Sequence, residues 1–224
     1  ISTMINIKNN LEEINKNLKN INLANKVTLV AVSKQQSIDK IVQAINCGQN
    51  IFGENYLQEA LEKIDLLKEY KLEWHFIGPI QSNKCKLIAE NFSWVHTIDR
   101  LKIAKRINEA RENMPPIDIC IQINISQENT KSGLSIDDLD NFASEIQTYK
   151  NLKLRGLMAI PSNLVSDEKL ILEFNLLRNK YEMMKKKYSS IDTLSMGMSN
   201  DYLLAIKNGS NLVRIGSKIF GKRT

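Results

Sequence analysis

The residues best suited to chemistry in this chain stand at the ends of apolar runs. The first is Lys34, which closes LVAVSK (29–34). A lysine at the solvent end of a strand is ordinarily inert. Held in a pocket, however, the ammonium form is disfavoured, the pKa falls, and the free amine attacks an aldehyde to form a Schiff base. The second feature is a pair of glycine- and serine-rich turns far along the chain, SMGMS (195–199) and RIGS (214–217). Gly and Ser are the usual residues of tight turns. They also suit an anion, because glycine lets the backbone approach closely and N–H groups at a helix start hold phosphate. The third is Arg214, which donates hydrogen bonds and never accepts them. His75 and His96 also stand in apolar runs, where a histidine is most often a satisfied core or rim residue. No G-x-S-x-G nucleophile elbow accompanies them.

Eight apolar runs position these residues: 27–33, 50–54, 73–78, 93–99, 117–125, 152–160, 191–196 and 211–216. Each is nearly continuous in apolar residues, as expected of strands covered on both faces. Helical patterns alternate with them. Ser37 is a predicted N-cap for a helix carrying Ile38, Ile41, Val42 and Ile45, and Ser135 with Asp138 reads as a capping box for one carrying Leu139, Phe142 and Ile146. A helix over 4–22, with Ile7, Leu11, Ile14, Leu18 and Ile21 on one stripe, precedes the first strand. The pattern predicts an α/β fold: a single-domain (β/α)8 TIM-type barrel over residues 1–224 with an extra N-terminal helix. A doubly wound open sheet is the alternative, but its G-x-G-x-x-G fingerprint is absent.

Composition excludes several functions. The net charge of +6 comes from lysines spread along the chain, with no basic run interleaved with aromatics, so no nucleic-acid partner is expected. No apolar run is long enough for a membrane span, and the start lacks the apolar core of a signal peptide. Cys47, Cys85 and Cys120 are scattered and odd in number, without a C-x-x-C pair, which argues against a zinc site and for a reducing, cytoplasmic compartment. The acidic cluster Asp137, Asp138 and Asp140 reads as a helix start, not a metal site.

In a barrel of this kind the C-terminal strand ends converge on one face, and phosphate binds after the seventh and eighth strands. Both Gly/Ser turns fall there. A lysine and a phosphate site together select a phosphorylated aldehyde, either a sugar phosphate or pyridoxal 5′-phosphate. Arg214 favours the second: an arginine beside a pyridine nitrogen keeps that nitrogen unprotonated and the ring a poor electron sink.

The motifs LVAVSK (29–34), FGENYLQE (52–59), WHFIGPIQSNK (74–84), VHTIDR (95–100), INISQENTKSG (123–133), GLMAI (156–160), LSMGMSNDY (194–202) and VRIGSKIFG (213–221) span nearly the whole chain in order. Together they resemble the pyridoxal-phosphate homeostasis proteins of the YggS/PROSC type, whose barrel is like the N-terminal domain of alanine racemase. The resemblance implies a non-catalytic protein that binds pyridoxal 5′-phosphate on Lys34 as a Schiff base; a monomer is expected, since no helix beyond the N-terminal one shows an unambiguous interface stripe. It implies phosphate contacts from Ser199, Gly216 and Ser217, Arg214 near the ring nitrogen, and Asn55, His75, Met158 and Ser195 lining the pocket. It further implies cofactor buffering and delivery to apo-enzymes, with no catalytic residue and no metal. An alternative is a small racemase or related amino-acid enzyme using Lys34 as its base. The sequence stops just after the last barrel segment, so the second domain that supplies a racemase's tyrosine is not expected.

Overall fold

The structure, a computed structural model, describes residues 4–21, 26–129, 131–163 and 165–223. A strand lies inside every predicted apolar run: β1 (Thr28–Val32), β2 (Ile51–Glu54), β3 (Glu73–Phe76), β4 (Trp94–Ile98), β5 (Ile117–Gln122), β6 (Leu152–Met158), β7 (Thr193–Ser195) and β8 (Leu212–Ile215). All pair in parallel in sequence order, and β8 returns to β1 through Thr28↔Leu212 to Ala31↔Ile215, closing the barrel. Burial on both faces explains the continuous apolar runs: all of β4 and β8 is buried.

Helices α1 (Ile7–Ile21), α2 (Ile38–Asn46), α3 (Leu57–Leu66), α4 (Cys85–Asn91), α5 (Leu101–Ala110), α6 (Leu139–Ile146), α7 (Asp167–Lys187), α8 (Tyr202–Lys207) and α9 (Ser217–Phe220) surround it. The stripe Ile7, Leu11, Ile14 and Leu18 of α1 is buried against the molecule's own α2, α8 and α9. Asn10 Nδ2 donates to the Ile219 carbonyl at 2.9 Å and Asn17 Nδ2 to the Tyr202 hydroxyl at 2.9 Å. This helix is therefore part of the barrel's outer layer. Asn22, where the predicted helix ends, lies outside the described residues.

Ser37 caps α2 as expected, its Oγ accepting from Lys40 N–H at 3.3 Å. Ser135 does not cap α6. The Asp138 N–H that its hydroxyl would have taken donates instead to Ser135's own carbonyl at 3.0 Å, tightening Ile136–Asp138 into one 3-10 turn before α6 begins.

One close approach and one short ladder shape the sheet near the phosphate-type turns. At Gly156 a Cβ would stand 1.6 Å from the Thr193 carbonyl oxygen, so β6 and β7 can meet only with glycine there. The β7–β8 ladder is short, with Ser195↔Leu212 as its register pair, and side chains supplement it. Ser210 Oγ donates to the Met196 carbonyl at 2.6 Å, Asn211 Nδ2 donates to the Asp192 carbonyl at 2.7 Å, and Asn211 Oδ1 accepts from Leu194 N–H at 2.8 Å. No helix among the described residues is long and apolar enough to cross a membrane.

Candidate functional site

Lys34 leaves the end of β1 in a turn whose next residue, Gln35, has φ 59°, the left-handed region. A non-glycine residue there is strained and needs support from its surroundings. That support comes from α3 and β2. Lys63 Nζ donates to the Ser33 carbonyl at 2.6 Å, and Glu59 Oε2 accepts from the Gln35 N–H at 2.6 Å, gripping the backbone on both sides of Lys34. Beneath them Lys63 pairs with Glu54 at 3.0 Å and with Glu59, and the Ser33 hydroxyl also bonds Glu54. Glu54 is fully buried. Desolvation lifts its pKa from 4.5 to about 7, against the opposing pull of the Lys63 charge and the hydrogen bonds from Ser33 and Lys63. The Lys34 amine itself is pushed below its ordinary range, first by burial and then by the Arg223 charge, while Glu54 and Glu59 resist. The result is a half-buried amine on a rigid stem that gives up its proton more readily than a free lysine.

The opposite wall comes from the other end of the chain. Gly197, at φ +104°, turns SMGMS so that its carbonyl accepts from Arg214 N–H at 2.9 Å, and Ser199 Oγ accepts from Lys218 N–H at 3.3 Å. These two bonds join the two glycine- and serine-rich turns into one surface. A cavity of 560 Å³ opens between them and Lys34, lined also by Asn55, Ile77, Ile160, Pro161 and Asp201. Asn55 Oδ1 is buried there without a hydrogen-bond partner. Asp201 accepts from Met198 N–H at 2.7 Å, and burial raises its pKa. A second cavity of 390 Å³ adjoins the first across Asn55, Ile77, Ile160 and Pro161.

Of the expected site residues, Lys34, Asn55, Ser199, Arg214, Gly216 and Ser217 line the one cavity. His75, Met158 and Ser195 lie beneath it in the barrel interior, all buried. Met158 packs with Trp94 and Cys120. Ser195 Oγ accepts from Arg214 Nη1 at 2.5 Å and stands 2.9 Å from His96 Nδ1. His75 stacks on Trp94 with ring centroids 5.1 Å apart, and its Nδ1 is 2.8 Å from His96 Nε2. Burial holds both imidazoles below their ordinary pKa, His96 well below, with the charges of His75 and Arg214 adding to the effect on His96. Sequence reasoning did not assign the clamp of Glu54, Glu59 and Lys63. A signal for part of it exists, the Glu59–Lys63 pair one helical turn apart on α3.

The residues present fit a phosphorylated aromatic aldehyde. The half-buried lysine amine suits the aldehyde, and the serine-bearing turns suit the phosphate. The Arg214 guanidinium, buried with no carboxylate in contact among the described residues, suits a ring acceptor, and the Asn55 oxygen, orphaned among the same residues, suits a donor. Among the described residues, no group of three or more His, Cys, Asp or Glu side chains is placed to hold a metal.

Fold and cavity together define a single barrel of the alanine racemase type, and residues 6–224 match the family model described as alanine racemase, N-terminal domain. The chain is 50% identical over 202 residues to the pyridoxal phosphate homeostasis protein of Vibrio cholerae, covering 88% of this chain and 86% of that one. It is 48% identical over 204 residues to that of Escherichia coli K12, with the same coverage. It therefore belongs to the alanine racemase N-terminal-domain family, among the pyridoxal phosphate homeostasis proteins. PipY of Synechococcus elongatus PCC7942, solved with PLP bound, superposes with a TM-score of 0.88 at 29% identity, over 96% of this chain and all of that one. Alanine racemase from Corynebacterium glutamicum shares the fold, with a TM-score of 0.74 at 16% identity over 62% of its length.

Proposed function

We propose that this protein binds pyridoxal 5′-phosphate in the 560 Å³ cavity at the C-terminal end of the barrel and serves the cofactor's homeostasis and delivery rather than substrate turnover. The observation that carries the reading is the meeting, in one cavity, of a half-buried lysine amine and an arginine and two serine turns from the far end of the chain. When bound, the cofactor supplies an aldehyde carbon and an electron-accepting ring. Lys34 Nζ would be the amine that captures the aldehyde, with loss of one water. Ser199, Gly216 and Ser217 would hold the phosphate, and Arg214, as a donor that keeps its proton, would suit an unprotonated ring nitrogen. His75, Met158 and Ser195 act from beneath, through Arg214 and the cavity floor.

A carrier role is supported by the cavity's other groups. A two-base racemisation needs a second proton-transfer group opposite the lysine, yet among the described residues no tyrosine, histidine or cysteine lines this cavity, and Asp201 is engaged with Met198 N–H. The lysine is also only half-buried, so water reaches the captured aldehyde and release is favoured. The apo forms of pyridoxal-phosphate enzymes are the recipients in this reading, and the cytoplasm, where three unpaired cysteines are stable, is its compartment.

Loading the purified protein with pyridoxal phosphate produces visible absorbance that Lys34→Ala lacks; equal absorbance in the variant would show that another lysine captures the cofactor. Transfer from the loaded protein to an apo-enzyme proceeds without amino-acid turnover. The racemase alternative rests on the shared fold, and sustained interconversion of a single-enantiomer amino acid by the loaded protein would establish it instead.

A further inference from the structure

Arg214 is buried, and its guanidinium touches no carboxylate among the described residues; Nη1 donates to Ser195 Oγ at 2.5 Å and Nη2 to the Ala159 carbonyl at 3.2 Å. From Ser195 a line of polar side chains continues away from the cavity, through His96 and His75, to Glu73. Ser195 is on β7 and His96 on β4, so this contact crosses the barrel. Glu73 is the first residue of β3 and lines a recess with Asp118, Arg155 and Asp192 at the N-terminal strand ends, opposite the cofactor cavity.

The direction of every hydrogen bond in this line is dictated from both ends. Arginine only donates, so Ser195 Oγ accepts from it. Among the described residues the Ser195 hydroxyl then has one acceptor in reach, His96 Nδ1 at 2.9 Å. With Nδ1 accepting, the neutral His96 ring carries its proton on Nε2 and donates to His75 Nδ1 at 2.8 Å. His75 in turn carries its proton on Nε2, where it makes no regular hydrogen bond and meets Glu73 Oε2 at 3.4 Å. The reverse polarity would leave the Ser195 proton without an acceptor and turn a bare imidazole lone pair toward a carboxylate. A cation at one end, a carboxylate at the other and neutral relays between them polarise one another in the same sense.

We propose that Arg214, Ser195, His96 and His75 form one directed hydrogen-bond chain through the barrel that ends in a 3.4 Å contact with the Glu73 carboxylate, and that His96 and Glu73 are positioning residues that orient and polarise the guanidinium from the face opposite the cofactor. The proposal rests on the reading of Arg214 as the group facing the ring nitrogen.

The chain contains only two histidines, so nitrogen NMR of the cofactor-free protein reads both imidazoles directly. Both should be neutral at pH 7 with the proton on Nε2, and a proton on Nδ1 of either ring would overturn the assigned direction. Glu73 lies outside the cofactor cavity, yet Glu73→Met, which also removes the acceptor of Trp94 Nε1 at 3.2 Å, should weaken pyridoxal-phosphate binding about fivefold when measured on folded protein well below its melting transition. Ser195→Ala cuts the chain, so adding Glu73→Met to it should weaken binding no further. An unaltered affinity in Glu73→Met, or fold-losses that simply multiply in the double variant, would overturn the coupling. Lys34→Ala measured alongside separates the two readings. Wild-type absorbance in that variant would sink capture on Lys34, while the imidazole spectrum, taken without cofactor, would still decide the chain.

Discussion

Lys63→Met tests whether the buried clamp beneath Lys34 works as described. In the native protein Glu54 titrates at about 7 instead of 4.5. A raised folded pKa means stability that is fully present below pH 4.5 and lost as pH rises to about 7, a loss of about 3 kcal/mol. Removing the Lys63 ammonium takes away the main charge that keeps Glu54 from titrating higher still. The carboxyl then escapes by staying protonated, which limits the extra loss to about 1.4 kcal/mol for each pH unit above 7. Below pH 7 the native carboxyl is already mostly protonated, and this part vanishes. A second part does not depend on pH: the Ser33 carbonyl loses the charged Lys63 donor, at about 1.5–3 kcal/mol, and keeps the Gln36 N–H at 3.1 Å. Thermal melting of variant and native protein at pH 6 and pH 8 separates the two. Melting should fall at both pH values, by about 3–5 °C more at pH 8, given about 2–4 °C per kcal/mol for a chain of this size. Adding Glu54→Gln to Lys63→Met should abolish the difference between the two pH values. A loss for Lys63→Met that is the same at pH 6 and pH 8 would refute the assignment of Glu54 as a buried group held by Lys63.

Ser217→Ala and Ser199→Ala should each weaken pyridoxal-phosphate retention about tenfold, the worth of one hydrogen bond to a charged group, while the Lys34 absorbance still forms on saturation; titration by absorbance measures both. Leu11→Ala removes a side chain of α1 that is 2% exposed and should destabilise the protein by about 2–5 kcal/mol in denaturant unfolding. A loss below about 1 kcal/mol would mean that α1 is not packed as part of the barrel.

The sequence by itself determined the alternation of eight apolar strands with helices, because strands buried on both faces must be apolar throughout and their connections must be helical. It also placed Lys34 and the two glycine- and serine-rich turns at strand ends, since hydrophobic runs stop where side chains meet the mouth of the barrel. These are local signals. What the tertiary structure decided is which polar groups are buried and what they face. Lys63 reads as one more solvated lysine of an amphipathic helix, and it is buried only because α3 lies over the end of β1 and brings Ser33 and Glu54 to it. His75 and Ser195 stand at strand ends in the sequence, yet they lie below the cavity because closure of the barrel turns them inward, against His96 and Arg214. No spacing along the chain encodes the bond between His96 and Ser195. They stand 99 positions apart, and only the curvature that brings β4 opposite β7 puts them within 2.9 Å.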